Sequence, residues 1–288
     1  MVPRVLRPYW AKDSFFYSYL WKGVSMREIR LCDDCEKEYI YDLCIKNNLG
    51  IEIQGFYNPA MIGSLDSDEL IIQYNELFKN FKFGKSLHAP FWDLNLGSKN
   101  KMVRDATMKA FNYAYDVAKK LGCTEIVVHN GFVPNTSFYE GWVRNAVSFW
   151  EEFFSDKDDS ITMMIENQCE EDSTVLQMEI DAVNDSRLKV CLDIGHAHAN
   201  SNMSVDEWIT SLGARIGYLH LHNNHGKVSG RPSFKNDEHL GITNGTMNIE
   251  KVFELLEDNC PDAIWNIECK LTEIEESIEV LKKLGYIK

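Results

Sequence analysis

Short runs of apolar residues alternate along the chain with longer stretches in which apolar residues recur every three or four positions. The short runs, such as TEIVVHNGF at 124–132, predict buried strands, and the longer stretches, such as 102–122, predict amphipathic helices. Eight pairs of strand and helix follow one another, from REIRLC near residue 30 to AIWNIECK at 263–270 and the helix after it. Apolar strands separated by helices are typical of a parallel sheet covered by helices, and eight such units close a (β/α)8 barrel.

The pattern therefore predicts the α/β class and a single TIM-barrel domain over residues 1–288. No linker rich in Pro, Gly or Ser divides the chain, and a length of 288 residues is common for one closed barrel. The first strand has an open alternative, because residues 1–28 hold either that strand or an N-terminal extension.

Charge and cysteine content narrow the class of partner. Thirty basic and forty-four acidic side chains give a net charge of −14, which disfavours nucleic acid and anionic membranes as partners. Neither a signal peptide nor an apolar run of about eighteen residues is present, so we expect a cytoplasmic protein without a membrane partner. The eight cysteines are spread along the chain and predict reduced thiols. The Cys32 and Cys35 pair has no second C-x-x-C to complete a zinc ribbon, which favours a structural role.

Six consecutive predicted strands end in a side chain that can bind a metal ion. In chain order these are His88, His129, Glu166, Asp193 with His196 three positions later, His222 and Glu268. The loop after the seventh strand adds Asp237 and His239. The carboxyl ends of barrel strands meet at one mouth, and burying many ionisable groups there is costly without a compensating cation. The sequence therefore predicts a divalent metal centre at this mouth.

The seventh strand carries two histidines on one face. In LHLHN the two-residue period places His220 and His222 toward the barrel axis, with the leucines toward the helices. Because His222 lies nearer the strand end, it is the expected ligand, and His220 is expected to pack one layer deeper. Imidazole and carboxylate ligands without thiolate suit Zn, Mn or Co, and a Mg site stays open.

These residues lie in a set of motifs that resembles a known superfamily. The motifs are H-A-P after strand three, VVHNG, IEN, D-I-G-H, H-L-H-N-N, D-E-H-L and a last strand ending in I-E. Together they resemble the xylose-isomerase-like TIM-barrel superfamily, from about residue 50 to the C-terminus. That superfamily holds sugar and sugar phosphate isomerases and epimerases, together with metal-dependent apurinic-site endonucleases.

The resemblance implies two alternative metal sites. In the ketose epimerases one divalent ion is held by four residues, which match Glu166, Asp193, His222 and Glu268 here. His196 would then contact the substrate. The endonuclease branch uses nine ligands for three zinc ions, and the additional five match His88, His129, His196, Asp237 and His239.

Substrate contacts match the resemblance less completely than the ligands do. The acidic residue expected six positions after Glu166 is Asp172. The arginine expected six positions after His222 is replaced by Val228, and Arg231 is the nearest arginine. Trp92 could supply an apolar wall for a sugar.

The leading hypothesis is a metal-dependent isomerase or epimerase of a sugar or sugar phosphate. Glu166 and Glu268 would act as base and acid beside a metal-bound carbonyl, through an enediolate. The alternative is a zinc-dependent phosphoesterase of the apurinic-site endonuclease type, which the acidity of the chain disfavours. A third hypothesis is a binding protein that kept the barrel without the activity. One bound ion favours the isomerase and three favour the hydrolase, and whether the chain forms a homo-oligomer stays open.

Overall fold

The computed structural model describes residues 27–33, 36–227 and 234–288, and these residues form a closed barrel of parallel strands. The strands are β1 Ile29–Cys32, β2 Gly50–Ile53, β3 Lys85–His88, β4 Glu125–His129, β5 Thr162–Glu166, β6 Leu188–Asp193, β7 Ile216–Leu221 and β8 Ile264–Ile267. Each strand pairs with the next in the chain, and β8 pairs with β1. The predicted (β/α)8 barrel is confirmed.

Helices connect the strands and cover the outside of the barrel. They are α1 Lys37–Asn47, α2 Leu65–Leu77, α3 Lys101–Leu121, α4 Tyr139–Phe154, α5 Thr174–Val183, α6 Ile194–Asn200, α7 Val205–Leu212, α8 Ile249–Asn259 and α9 Leu271–Lys283. Short 3-10 turns lie at Pro59–Met61, Gly213–Arg215 and Phe234–Asn236. Helix α6 was not predicted from the sequence. It begins directly after β6 because the Asp193 carboxylate accepts the His196 backbone N–H.

The first strand is Ile29–Cys32, which agrees with the REIRLC assignment. Residues 1–26, where the alternative first strand or the extension was placed, lie outside the described residues, as does Cys35. Among the described helices, none has the length and apolar character that crossing a bilayer requires.

Strand alternation sets a polar layer directly above an apolar one inside the barrel. The lower layer is a small cluster of buried side chains, namely Val127, Met164, Cys191 and Tyr218. Two positions later on the same strands come His129, Glu166, Asp193 and His220. Because side chains two apart in a strand share a face, these polar groups stand over the apolar cluster at the C-terminal mouth.

Candidate metal centre

A cavity of about 740 Å³ opens at the C-terminal mouth of the barrel, and Glu166 lies at its floor. Glu166 ends β5 and is only 2% exposed. Its Oε2 atom lies 3.3 Å from Nε2 of His88 and 3.1 Å from Nε2 of His129. Its Oε1 atom lies 3.3 Å from Nδ1 of His220. Both carboxylate oxygens therefore face imidazole nitrogens, on two sides of the same side chain.

The candidate ligands form groups whose ligand atoms lie within 4.8 Å of one another. A small one, made of Glu166, Cys191 and His220, shares two members with the deep group, and three others contain every ligand expected from the sequence. The deep group is Glu166, Asp193, His220 and Glu268. The β3–β4 group is His88, His129 and Glu166. The outer group is His196, His222, Asp237 and His239. The structure thus brings together every metal ligand expected from the sequence. Glu166 belongs to both the deep group and the β3–β4 group.

His220 takes the place in the deep group that was expected for His222, and His222 lies in the outer group instead. His220, which was expected to pack beneath the site, places Nδ1 2.8 Å from Glu268 Oε2 in the deep group. His222 lies in the outer group and approaches the deep one through Asp193, at 3.0 Å from Nε2 to Oδ1. The cause is the strand register, since Asp193 pairs with His220 across β6 and β7. A residue's distance from the strand end does not report which neighbours lie level with it.

Backbone carbonyl groups set the proton position on three of the histidines. Nδ1 of His88, His196 and His239 lies 2.9, 2.9 and 2.8 Å from the carbonyl oxygens of Ala89, Asn167 and Glu268, respectively. A carbonyl oxygen only accepts hydrogen bonds, so each Nδ1 carries the proton. Nε2 of each ring faces the site, where it could bind a metal ion once its own proton is displaced, because a metal ligand requires the neutral ring.

A buried polar atom without a hydrogen-bond partner and the types of side chain present support a cation at the C-terminal mouth. Among the described residues, Asp237 Oδ1 is one of the buried polar atoms without a hydrogen-bond partner, whereas His220 Nδ1 and Glu268 Oε2 lie 2.8 Å apart and partner each other. Buried polar atoms in folded proteins normally have partners, and those that lack them call for an explanation such as a bound ion. Asp237 belongs to the outer ligand group, and the donor set of imidazole and carboxylate in the ligand groups fits a divalent metal. These residues therefore fit a divalent ion.

Electrostatics at the mouth also favour positive charge. Burial alone would raise the pKa of Glu268, but the His220 charge and hydrogen bond lower it to about 2. Burial alone would lower the pKa of His239, but its hydrogen bond to Asp237 and the nearby carboxylates raise it to about 9. The pKa of Glu166 is likewise held well below its ordinary value, against burial, by His220 and His129. The carboxylates thus stay ionised and attract cations.

The three expected substrate contacts have different outcomes. Trp92 lines the cavity and is 57% exposed. Asp172 is not among the lining residues, and its Oδ1 accepts the Thr174 backbone N–H at 2.8 Å, where α5 begins. Arg231 lies outside the described residues, as does Val228.

Two polar residues at the mouth, the buried Glu52 and the half-buried Gln54, were not predicted from the sequence. Glu52 is fully buried on β2, and its Oε2 lies 3.2 Å from Nε2 of His220. Gln54 follows that strand and donates from Nε2 to Glu268 Oε1 at 2.6 Å. The signal available was the strand GIEIQ, in which Glu52 and Gln54 share one face. A polar pair on one face of an otherwise apolar strand points into the barrel.

Comparisons with known proteins agree with this architecture. The family profile described as xylose isomerase-like TIM barrel matches residues 50–284. An uncharacterized protein of Methanocaldococcus jannaschii is 29% identical over 222 residues, which span 72% of this chain and 72% of that protein. A probable endonuclease 4 of Thermoplasma acidophilum is 29% identical over 162 residues, 53% of this chain and 55% of the endonuclease. A solved D-tagatose 3-epimerase-like protein superposes with a TM-score of 0.71 at 24% identity, covering 89% of this chain and 96% of that one.

The likeness to the epimerase-like structure shows the fold alone, and the chain spans about half the length of the endonuclease. The family match is more extensive, since it covers most of the chain from residue 50 onward. Together with the closed eight-stranded barrel, it establishes that this chain belongs to the xylose isomerase-like TIM barrel family, whose structural neighbours include both sugar epimerases and endonuclease IV.

Proposed function

We propose that this protein is a hydrolase of phosphate esters that works with more than one divalent metal ion. One observation carries the proposal, namely that both oxygens of Glu166 are engaged from opposite sides. Oε2 faces the β3–β4 group at 3.1 Å from His129, and Oε1 faces His220 of the deep group at 3.3 Å. A carboxylate in this setting could give one oxygen to each of two cation sites. Neither oxygen is left over to act as the base of a proton-transfer reaction.

The chain's own residues divide the work at such a centre. Divalent ions bound there would supply an activated water and offset the charge of the phosphate. Glu166 would hold the two inner sites at a set separation, and Asp193 would join the deep group to His222 of the outer group at 3.0 Å. The carbonyl bonds at Nδ1 of His88 and His239 keep those rings in one orientation, so the sites need little reorganisation.

Cavity size and charge indicate a small substrate. Among the described residues that line the cavity of about 740 Å³, Lys270 is the one Lys or Arg side chain. Phosphate charge would therefore be offset by the ions rather than by basic side chains. A net charge of −14 further disfavours a long duplex, whose binding depends on many cationic contacts. We propose a phosphate ester of a small sugar-like or nucleotide-like molecule as the substrate class.

A second candidate is the sugar isomerase or epimerase, and the deep group supports it. Glu166, Asp193, His220 and Glu268 suffice by themselves to hold one ion. Three of them are carboxylates, and two of these, Glu166 and Glu268, could serve as the acid and the base that this reaction needs. In this mechanism the β3–β4 and outer groups would have no part in turnover.

Two histidines outside the deep group separate the candidates. The protein is purified without added metal, and bound ions per chain are counted by elemental analysis. The wild type, His88→Ala and His239→Ala are then assayed on a phosphomonoester, a phosphodiester and an oligonucleotide with an abasic site. Deuterium exchange is followed on a panel of ketoses and their phosphates.

The hydrolase predicts two or more ions per chain and at least a tenfold loss of phosphoester cleavage in both variants. His198→Ala is the matched control, since its Nε2 contacts Thr246 and belongs to none of the three groups. One ion per chain, with ketose exchange that both variants retain, would overturn the hydrolase and establish the isomerase. Cleavage confined to the oligonucleotide would overturn the small-substrate assignment.

A further inference from the structure

His220 is oriented the opposite way from the three histidines held by carbonyl groups. Its Nδ1 atom faces the deep group, at 2.8 Å from Glu268 and 3.3 Å from Glu166. Its Nε2 atom faces away from that group, toward β2. A backbone carbonyl therefore does not set the proton position on this ring, and another acceptor must do so if Nδ1 is to bind a cation.

Glu52 is that acceptor. Its Oε2 atom lies 3.2 Å from His220 Nε2 in a hydrogen bond, and its Oε1 atom also lies 3.2 Å from the same nitrogen. Both side chains are fully buried, at 0% exposure. Gln54 donates to Glu52 Oε1 at 3.3 Å and to Glu268 at 2.6 Å, so one amide joins two of the carboxylates that contact His220.

The burial of Glu52 needs an explanation that stability alone does not supply. Burying a carboxylate against an imidazole costs desolvation energy, and an apolar pair of the same volume is often at least as stable. Within the described part of the chain, the ion pair that Glu52 forms is with His220. A carboxylate that accepts from the far nitrogen of a metal-ligating histidine fixes the tautomer and makes the ligating nitrogen more basic.

We propose that Glu52 is a positioning residue of the metal centre. It holds His220 with the proton on Nε2, so that the Nδ1 lone pair is directed into the deep group. The histidines of the remaining groups present Nε2 to the site, so an ion in the deep group would be the one whose affinity depends on Glu52. The inference rests on the metal centre of the proposed function and is independent of the reaction that the centre catalyses.

Glu52→Gln tests the proposal, because glutamine keeps the size of the side chain and removes its charge. The matched control is Glu179→Gln, since Glu179 is also fully buried and bonds to Trp150 and Asn130 rather than to a ligand. Zinc affinity is measured by competition with a chromophoric chelator. The proton position on His220 is read from ¹⁵N shifts of histidine-labelled full-length protein, loaded with zinc and after chelation, with His220→Gln to assign the signal.

We expect Glu52→Gln to weaken the tightest zinc site by about 10- to 100-fold and Glu179→Gln to leave it within about twofold. In the wild type, His220 should carry its proton on Nε2, and in Glu52→Gln this signal should change. If Glu52→Gln does not fold, Glu52→Asp keeps the charge but shortens its reach, and a loss of affinity of about fivefold or more is expected.

Zinc affinity unchanged by the Glu52 substitution, or a zinc-loaded wild type in which His220 is protonated on Nδ1, would overturn the proposal. An equal loss in Glu179→Gln would also overturn it, because the effect would then belong to any buried carboxylate. A wild type that binds zinc without cleaving phosphoesters contradicts the proposed function and leaves the role of Glu52 standing. The two failures are therefore distinguishable.

Discussion

The imidazole rings of His222 and His239 stack face to face, with centroids 4.0 Å apart and planes inclined by 11°. His239 adopts a φ of 47°, a region that non-glycine residues seldom occupy. Its ring is held from both ends, by the Glu268 carbonyl at 2.8 Å and Asp237 at 3.1 Å. The stack therefore has little freedom to move. The position of His222 in the outer group therefore also depends on its other neighbours.

Gly195 lies against the His222 ring, and its replacement by alanine should displace that ring. A Cβ atom on Gly195 would come within 1.9 Å of His222 Cε1. Because the stacked His239 limits movement of the His222 ring, we expect Gly195→Ala to remove one bound ion per chain. Stability should fall by about 1–3 kcal/mol from overpacking. Elemental analysis and urea unfolding check both outcomes.

Gly141→Ala is the control for that experiment, since a Cβ at Gly141 in α4 meets no atom within 4 Å. It should keep the full metal content and gain a few tenths of a kcal/mol or more, as alanine replaces glycine in a helix. Full metal content in Gly195→Ala would mean that His222 is not a ligand of the outer group.

Trp92 should affect substrate binding without affecting the metal. Its ring stacks on Phe91 with centroids 5.2 Å apart. Phe91 in turn stacks on the candidate ligand His129, with centroids 4.6 Å apart. With 57% of its surface exposed, Trp92 is available to a substrate ring. We expect Trp92→Ala to raise KM by about 2- to 12-fold, the value of one aromatic contact, with metal content and kcat unchanged. Phe138→Ala, at a position 82% exposed, should leave KM as it is.

The buried Glu179 should make stability depend on pH. Burial raises its pKa to about 7 from an ordinary 4.5, against hydrogen bonds from Trp150 and Asn130 that lower it. The folded protein thus binds this proton more tightly than the unfolded chain does. The free energy of unfolding should therefore fall as pH rises from about 4.5 to about 7, and this contribution should be level above pH 7.

Glutamine cannot ionise, so Glu179→Gln should lose less stability than the wild type between pH 5 and pH 8. The difference is expected to be about 1–3 kcal/mol. Urea unfolding of both proteins across this range measures it, and contributions from the metal centre cancel in the comparison. Parallel curves would contradict the buried-acid interpretation. Glu170 is also buried, and its pKa is raised to about 7. It contributes to the pH dependence of stability that remains in the variant.

Asp172 should support α5 rather than contact substrate. Its carboxylate accepts the Thr174 N–H at 2.8 Å, an N-terminal helix contact that alanine would lose. We expect Asp172→Ala to lower the free energy of unfolding by about 0.5–2 kcal/mol with KM unchanged. A tenfold rise in KM at unchanged stability would instead support the substrate role inferred from the sequence.

Local sequence pattern was sufficient to predict the barrel and the side chains at its mouth. Runs such as EIVVH and TMMIE read as strands, and their two-residue alternation places His129 and Glu166 on the inner face. Carboxyl ends of parallel strands meet at one mouth, so convergence follows from topology alone. Helix α6 was missed because its start depends on the Asp193 side chain, a local cap inside what reads as a strand end.

Closure of the barrel decided which of these side chains lie close enough together to share an ion. Each strand's position along the barrel axis depends on its neighbours, so the pairing of Asp193 with His220 cannot be read from either strand by itself. That register places His220 in the deep group, leaves His222 to stack on His239, and seats Glu52 behind His220. The sequence by itself determined which groups reach the mouth, because alternation is a property of one strand. Only the tertiary structure decided how they are shared, because register is a property of strands packed together.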